Sequence, residues 1–231
     1  LLMGLRLAEG IDLDRYELDG ERRPFYIATR NAAVGELPER GWVQRHLVYT
    51  HGNGMIATLA DETSPAGTLA AAATDEEMAL ETSELYFGEG LGGWFVITGT
   101  RRAELGGAEW RGDSGLDLSS PWRRALAAGG LGDANLLLWS EIVDGSQLLY
   151  RRSINERIGA IAPFLALDGD PYPVVADGHI VWVVDAYTTA STYPYSQRAA
   201  TNGVPGASGL NGRHANYIRH SVVATLDGYS G

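Results

Sequence analysis

The sequence has 231 residues, with 18 basic and 29 acidic side chains, no cysteine and a formal net charge of −11. Without cysteine there can be no disulfide, no thiolate nucleophile and no cysteine-ligated zinc. Nucleic-acid binding depends on basic residues that neutralise phosphates, so the acidic balance argues against a nucleic-acid partner. It equally disfavours docking on anionic lipid headgroups. Every basic residue is an arginine, and four doublets are interpreted as solvated faces: Arg22-Arg23, Arg101-Arg102, Arg123-Arg124 and Arg151-Arg152.

The sequence shows neither a membrane-spanning segment nor a signal peptide. No stretch approaches the ~18 consecutive apolar residues of a membrane-spanning helix, and the start lacks the pattern of a signal peptide. The sequence begins with Leu1 rather than methionine and ends at Gly231 with no obvious closing element. We therefore expect an excised fragment of a longer protein.

The first half of the chain predicts mainly strands. They are expected where β-branched and aromatic residues gather, at residues 25–29, 42–50, 55–59, 84–87 and 94–98. The Asn53-Gly54 turn signal makes residues 55–59 a possible hairpin partner of residues 42–50. Residues 60–82 are acidic and alanine-rich, and residues 101–118 are glycine-rich and polar, so both are predicted to be flexible surface loops.

Helices are predicted in the second half. Ser119-Ser120-Pro121 supplies a cap and a first-turn proline. The helical pattern that follows breaks at Gly129-Gly130 and resumes over residues 134–142. A short amphipathic helix is expected over residues 154–161, ended by Pro163, and a last helix is expected from Tyr217 onward.

A hairpin is predicted between these helices, with strands at residues 173–176 and 179–185 around Asp177-Gly178. Residues 198–214 are predicted to be a third flexible loop. We find no internal repeat, and strands and helices alternate without βαβ periodicity. The sequence therefore predicts one compact α+β domain over residues 1–231, with mixed hairpins and short helices.

Two short motifs invite catalytic interpretations that their context does not support. Gly88, Gly90 and Gly93 match G-x-G-x-x-G, but a dinucleotide site needs a helix after the motif and a strand is predicted here. Residues 112–115 (GDSG) resemble the nucleophile segment of trypsin-type proteases. The upstream residues His46 and His51 lack the neighbours expected of a general base in that setting.

A polar and aromatic region near the hairpin is the best candidate for a binding surface. Asp168-Gly169-Asp170 pairs two hard oxygen donors, which suits calcium or magnesium; the alternative is turn chemistry around the nearby prolines. Asp185 ends the predicted strand, and a polar, tyrosine-rich loop is expected over residues 187–197. Tyrosine offers both a stacking face and a hydroxyl group. We expect no cofactor, with Ca²⁺ or Mg²⁺ as the alternative.

Six segments make the sequence resemble the uncharacterised family UPF0182. They are residues 45–54 (RHLVYTHGNG), 161–165 (IAPFL), 170–175 (DPYPVV), 180–189 (IVWVVDAYTT), 193–197 (YPYSQ) and 216–219 (NYIR). Two positions depart from the family pattern. His220 stands where the motif usually has asparagine, and residues 226–231 only loosely follow the usual Asp-Ala-Tyr-Asp-Gly.

The resemblance implies a bacterial integral membrane protein, in which several transmembrane helices precede a large domain outside the cytoplasm. This chain would be much of that domain, at the plasma membrane and in contact with its own transmembrane helices. The family has no established activity, so the resemblance carries no catalytic residue to this sequence.

Three hypotheses follow for function. The first is a non-catalytic extracytoplasmic domain that binds an envelope lipid, glycan or protein. The second is a cell-envelope hydrolase or transferase that uses His51 or the carboxylates of Asp168, Asp170 and Asp185. The third is the external domain of a transporter. The candidate binding residues are His51, Asp168, Asp170, Asp185, Tyr187, Thr188, Thr189, Tyr193, Tyr195, Gln197, Asn216 and Arg219.

Overall fold

The fold is α+β, as the sequence predicts. A computed structural model describes residues 5–7, 10–18, 20–32, 37, 41–61, 72–73, 75, 78–200, 210 and 214–231. The strands among these residues are β1 (Leu5–Leu7), β2 (Asp12–Leu18), β3 (Glu21–Ala32), β4 (Gly52–Asn53), β5 (Met55–Leu59), β6 (Ala72–Ala73), β7 (Glu84–Leu85), β8 (Val96–Thr98), β9 (Leu116–Asp117), β10 (Gln147–Leu149), β11 (Ala166–Leu167), β12 (Tyr172–Ala176), β13 (His179–Ala190), β14 (Ala199–Ala200), β15 (His214–Ala215) and β16 (Tyr217–Asp227).

The helical elements are shorter and lie mostly between β9 and β11. The α-helices of the described residues are α1 (Pro121–Leu131), α2 (Asn135–Leu138) and α3 (Ile154–Ile161). A π-helical turn covers Gln44–Val48, and a 3-10 turn covers Leu105–Gly107.

Antiparallel pairing builds three main sheets. Sheet I has the order β1-β3-β5-β6, with β2 also paired to the long strand β3. Sheet II has the order β8-β10-β9. Sheet III has the order β11-β13-β12, and β16 also pairs with β13 along most of its length. Two small ladders, β4-β7 and β14-β15, are also formed.

Three clusters of buried apolar side chains join the sheets. The first packs α1, α2 and the π-helical turn on sheet II and includes Leu148. The second packs sheet II and α3 on sheet III and includes Leu149 and Trp182. The third lies between sheets I and III and includes Phe25 and Ile180. Because side chains alternate along a strand, the neighbours Leu148 and Leu149 of β10 point to opposite faces and join different clusters. β13 reaches two clusters along one face, with Ile180 in the third and Trp182 in the second.

The prediction of a strand at residues 42–50 is wrong. These residues form a helical turn in which Val43 and Leu47, four positions apart, share one buried face against the first cluster. His46 is also buried, and its ring nitrogen Nδ1 lies 2.7 Å from the carbonyl oxygen of Phe95. The expected hairpin partner is indeed a strand, β5, but it pairs with β3 instead.

The predicted last helix is a strand as well. β16 runs antiparallel to β13, and its Val222, Ala224 and Leu226 repeat at a spacing of two, which is the period of a strand. Ile218, four residues before Val222, suggested a helical spacing. The register shifts between Ala186 and Tyr187, so the pattern does not continue evenly across that point.

The first predicted helix begins where expected but does not break at Gly129-Gly130. α1 has its proline at the first turn and continues to Leu131. It ends at Gly132, whose φ of +69° is the left-handed conformation that closes many helices. The continuation predicted over residues 134–142 is only the single turn α2.

Two local predictions are confirmed closely. α3 covers the predicted residues, and β12 and β13 form the expected hairpin. In its turn, Asp177 has φ +50° and Gly178 has φ +77°, the positive values that a two-residue type I′ turn requires.

Two of the three predicted loops fall largely outside the described residues, namely 62–71, 74 and 76–77 in the first and 201–209 and 211–213 in the last. Within the loop predicted at residues 101–118, the 3-10 turn and β9 are ordered elements. No helix of the described part of the chain is both long and apolar enough to cross a lipid bilayer.

Candidate functional site

A short loop after β13 is held in a fixed shape by the side chain of Asn216. The amide oxygen of Asn216 accepts a hydrogen bond of 3.0 Å from the backbone N–H of Tyr193. Its amide nitrogen donates to the carbonyl oxygens of Tyr193 at 2.8 Å and Ser196 at 3.2 Å. The Ser196 hydroxyl donates back to the carbonyl oxygen of Asn216 at 2.6 Å. We call residues 191–198 the tyrosine loop.

Aromatic stacking adds to this restraint. The rings of Tyr193 and Tyr217 lie 4.8 Å apart at an angle of 16°, so the loop is stacked on the start of β16. At its far end, Nε of Arg198 donates to the carbonyl oxygen of Ser191 at 3.0 Å. The tyrosine loop is therefore preorganised by contacts with its own neighbours.

Tyr195 stands at the tip of this loop with its side chain fully exposed. Its backbone has φ +57°, a left-handed conformation that costs a bulky residue about 1–2 kcal/mol. Within the described structure, no hydrogen bond or ring contact holds its side chain. A residue with a strained backbone whose side chain makes no stabilising contact within the protein is a candidate for binding a partner.

The sequence placed Tyr187, Thr188 and Thr189 in the same loop, and this is wrong. β13 continues to Ala190, so the three residues lie on the strand opposite His220, Arg219 and Ile218 of β16. The loop was predicted too early because the change from apolar to polar residues at Asp185 resembles the end of a strand. That change instead marks where β13 becomes more exposed. Gln197 is exposed in the loop, and Arg219 is exposed on β16 opposite Thr188.

Two of the three predicted carboxylates, Asp168 and Asp185, lie on sheet III near His220, which is not among the predicted binding residues. Nε2 of His220 lies 3.0 Å from Oδ1 of Asp185. The hydroxyl group of Tyr187 donates to Oδ2 of Asp168 at 3.0 Å, and this hydrogen bond raises the pKa of Tyr187. The rings of Tyr187 and His220 are 5.4 Å apart. The register shift of β16 allows this arrangement, because regular pairing from Val222 would place Ser221 opposite Tyr187.

Asp170 belongs to a different neighbourhood. Its backbone N–H donates to Oδ1 of Asp168 at 3.3 Å, which is the turn chemistry expected as an alternative to metal binding. Its carboxylate faces β2, where burial, followed by the charges of Asp170 and Asp14, raises the pKa of Asp12 to about 6. Across the part of the chain that the structure describes, no three histidine, aspartate or glutamate side chains form a group that could hold a metal ion.

His51 lies apart from these aspartates. Its ring is buried, with Nδ1 2.7 Å from the carbonyl oxygen of Gly52 and Nε2 3.0 Å from that of Leu105. The ring is also 5.3 Å from the ring of Tyr86. One side of His51 borders a pocket of about 280 Å³ that Asn53 and others also line.

Beside His51 lies a buried charged network that sequence reasoning missed. Arg152 is fully buried, and its Nε and Nη2 donate to the carbonyl oxygens of Tyr86 and Thr50, both at 2.6 Å. The hydroxyl groups of Tyr86 and Thr50 both donate to Oε2 of Glu104, at 2.8 Å for Tyr86. Burial lowers the pKa of Arg152 to about 10. The doublet Arg151-Arg152 is therefore not a solvated face, because one member is inside the protein.

An open apolar groove between α1, α3 and sheet II is the second feature that the sequence did not reveal. It has a volume of about 680 Å³. Its lining residues are Gly93, Trp94, Phe95, Leu116, Ala127, Gly130, Leu131, Leu148, Tyr150, Arg151, Glu156 and Ala160. A signal was present in the exposed apolar residues of the predicted helices, but only the packing of three elements shows that they border a groove.

The model of the uncharacterised protein family UPF0182 matches residues 6–231. The chain belongs to UPF0182. It is 35% identical over 244 residues to a UPF0182 protein of Streptomyces coelicolor, and 36% identical over 252 residues to one of Frankia alni. Each alignment covers 96% of this chain and 24% of the relative. A UPF0182 protein of Kineococcus radiotolerans is 33% identical over 252 residues, covering 98% of this chain and 25% of the relative.

The chain thus spans about a quarter of the length of these UPF0182 relatives. No solved structure matches it. His220, where the sequence resemblance implies a departure from the family pattern, is the residue that contacts Asp185 on sheet III.

Proposed function

We propose that this UPF0182 chain is a non-catalytic binding domain that recognises a glycan of the bacterial cell envelope through the tyrosine loop. The carrying observation is Tyr195, whose exposed ring is held in a strained backbone conformation by a loop that Asn216 fastens. Preorganisation of this kind strengthens binding because little freedom remains to be lost when a partner docks.

The chemistry around Tyr195 suits a sugar polymer. Sugar rings present C–H faces that stack on aromatic rings, and hydroxyl groups that hydrogen-bond to amides and guanidinium groups. Tyrosine combines an aromatic face with a hydroxyl group on a side chain of few rotamers. Gln197 and Arg219 are exposed and carry the polar donors that such a partner needs.

The location of the domain is part of the proposal. The family resemblance implies a protein of the plasma membrane with this domain on the outer side, in contact with its own transmembrane helices. Because the chain spans about a quarter of its relatives, the remaining length of those relatives leaves room for such helices.

The two alternative functions have less support. A hydrolase or transferase that used His51 with Asp168, Asp170 or Asp185 would need these groups within about 3 Å of one another or of one substrate. His51 instead contacts two backbone carbonyl oxygens, whereas Asp168 and Asp185 contact Tyr187 and His220. The role of an external transporter domain depends on segments beyond this chain.

The test is to replace Tyr195 by glycine and measure co-sedimentation of the chain with purified peptidoglycan sacculi. Glycine accepts φ +57° without strain, so we expect Tyr195→Gly to be as stable as the parent or more stable, by up to about 1 kcal/mol. The bound fraction should nevertheless fall to background, because the stacking ring is gone.

Asp177→Gly is the matched control, since Asp177 has φ +50° in the β12-β13 turn, outside the tyrosine loop. It should change stability little, because aspartate tolerates positive φ better than tyrosine does, and it should retain binding. Undiminished sedimentation of Tyr195→Gly would refute the proposed role of the loop. Binding to phospholipid vesicles or to a protein, with none to sacculi, would refute the glycan as partner.

A further inference from the structure

The apolar groove is separate from the tyrosine loop, and none of its lining residues belongs to that loop. Its floor is formed by Phe95 and Leu148, which are buried, and its sides by more exposed residues such as Trp94 and Tyr150. A volume of about 680 Å³ lies within the ~300–1,000 Å³ of typical small-molecule sites. Such sites are mainly apolar with a few polar groups, as this groove is.

A missing side chain contributes to the opening. α1 carries glycine at positions 129 and 130 of its last turn, although glycine favours a helix less than other residues do. A Cβ atom at either position would meet no atom within 4 Å, so close packing against the rest of the protein does not require these glycines. Of the two, only Gly130 lines the groove.

Exposed apolar residues continue from the groove along the same helix. Trp122, Leu126 and Gly130 are spaced by four and therefore lie on one row of α1. Trp122 is 69% exposed and Leu126 is 57% exposed. Large contiguous patches of exposed apolar surface usually mark a site at which a ligand or a partner binds.

Arg151 provides a free positive charge at the groove. Its φ of +50° is strained, and its guanidinium lies 5.9 Å from the ring centre of Tyr150. Among the described residues, none forms a salt bridge with it. The other charged lining residue, Glu156, already accepts a hydrogen bond of 3.2 Å from the backbone N–H of Gly93.

From this geometry we infer that the apolar groove binds one molecule of an anionic lipid, with its hydrocarbon chain along α1 and its headgroup at Arg151. The net charge of −11 opposes adsorption to an anionic bilayer surface. A single lipid molecule brings only one or two charges and meets the local charge of Arg151. A peptide fits less well, because its backbone N–H and C=O groups would need partners that an apolar lining lacks.

The first experiment uses calorimetric titration of the chain with dodecyl phosphate below its micellar concentration. We expect saturable binding at one site, clearly tighter than that of dodecyl maltoside, which has the same chain and a neutral headgroup. Gly130→Leu should fill the groove and weaken binding by about tenfold or more. The matched variant Gly129→Leu should bind like the parent chain.

Both leucine variants should unfold at a temperature equal to or above that of the parent, because leucine favours the helix more than glycine does. A loss of binding in Gly130→Leu therefore cannot come from unfolding. Equal weakening in the two variants would overturn the inference, and so would equal binding of hexyl phosphate and dodecyl phosphate.

The second experiment concerns the headgroup. Arg151→Asn keeps a residue that tolerates positive φ and removes the charge. We expect about tenfold weaker binding of dodecyl phosphate, the scale of one lost charge-assisted contact, and unchanged binding of dodecyl maltoside. Arg102→Asn, at an exposed arginine outside the groove, is the control and should have no effect.

A second copy of the chain is the remaining occupant to test. If sedimentation velocity shows a dimer that Gly130→Leu dissociates and Gly129→Leu does not, the groove is a subunit interface and the lipid inference is wrong. A monomer in all variants, with lipid binding lost only in Gly130→Leu, supports it. None of these outcomes depends on whether Tyr195 binds glycan.

Discussion

Asp12 is a partly buried carboxylate in an acidic neighbourhood. Burial, with the charges of Asp170 and Asp14, raises its pKa to about 6 from an ordinary value of 3.8. The folded protein therefore binds a proton at Asp12 between about pH 4 and pH 6 that the unfolded chain does not bind. Stability consequently rises as the pH falls through 6 toward 4, and the contribution is lost as the pH rises through 6.

Asp12→Asn removes this penalty. We expect the variant to melt about 2–4 °C above the parent at pH 7.5, because solvent screening reduces the effect at a partly exposed site. The two proteins should melt together near pH 4, where Asp12 is protonated in the fold. Calorimetry across this pH range provides the measurement, and Asp113→Asn at an exposed site corrects for the change in net charge. A difference that is equal at both pH values would contradict the assignment.

Arg152 shows where inference at the scale of single residues stops. In the sequence it is the second arginine of a doublet, and arginine is rarely buried without partners. In the fold it spans two backbone carbonyl oxygens from distant segments, beside Glu104. Tyr195, by contrast, belongs to a tyrosine-rich segment that the sequence alone predicts to be a binding surface. The exposure of Tyr195 depends on residues close to it in the sequence. The burial of Arg152 depends on contacts with residues that are distant in the sequence, Tyr86 and Thr50.

Among the elements, those determined by local chemistry were predicted and those determined by distant pairing were not. α3 has Ser153 before it and Pro163 after it, and the β12-β13 hairpin has Asp177-Gly178 at its turn. Each of these signals acts within a few residues. β16 becomes a strand because β13 offers it a pairing edge, and residues 42–48 become helical because the first cluster buries Val43 and Leu47 together. Neither partner is visible in a local window.

The β12-β13 turn supplies a prediction at this scale. Gly178 has φ +77°, and a Cβ atom there would lie 2.7 Å from Cγ of Glu81. The backbone N–H groups of Glu81 and Thr82 also donate to the carbonyl oxygen of Gly178. Gly178→Ala should therefore lose more than the ~1–2 kcal/mol of backbone strain alone, as measured by urea denaturation.

Gly145 separates the two causes of that loss. It has φ +87°, but a Cβ atom there would meet nothing within 4 Å. Gly145→Ala should lose only the strain, and so less than Gly178→Ala. If both variants lose the same free energy of unfolding, the contact with Glu81 does not contribute to the loss in Gly178→Ala.

At the scale of the whole molecule, the question is whether the three clusters unfold together. Leu148 and Leu149 lie on opposite faces of β10 and belong to the first and second clusters. Ile180 and Trp182 lie on one face of β13 and belong to the third and second clusters, so this strand links those two along its length. A strand cannot keep one face packed while the other is exposed without disturbing its ladder. This continuity supports the expectation of one domain over residues 1–231.

Leu148→Ala is the test of that expectation. Deleting a buried leucine side chain costs about 2–5 kcal/mol. Pulsed hydrogen exchange at increasing urea concentrations gives an unfolding midpoint for each peptide of the protein. Because β10 and β13 connect the clusters, we expect the midpoints of peptides from α1, β13 and β3 to fall by the same amount. Leu138→Ala, at a residue that is 76% exposed on α2, should leave all the midpoints unchanged. A lower midpoint confined to α1 and sheet II would instead show that the first cluster unfolds independently. The apolar groove and the tyrosine loop would then belong to separate folding units.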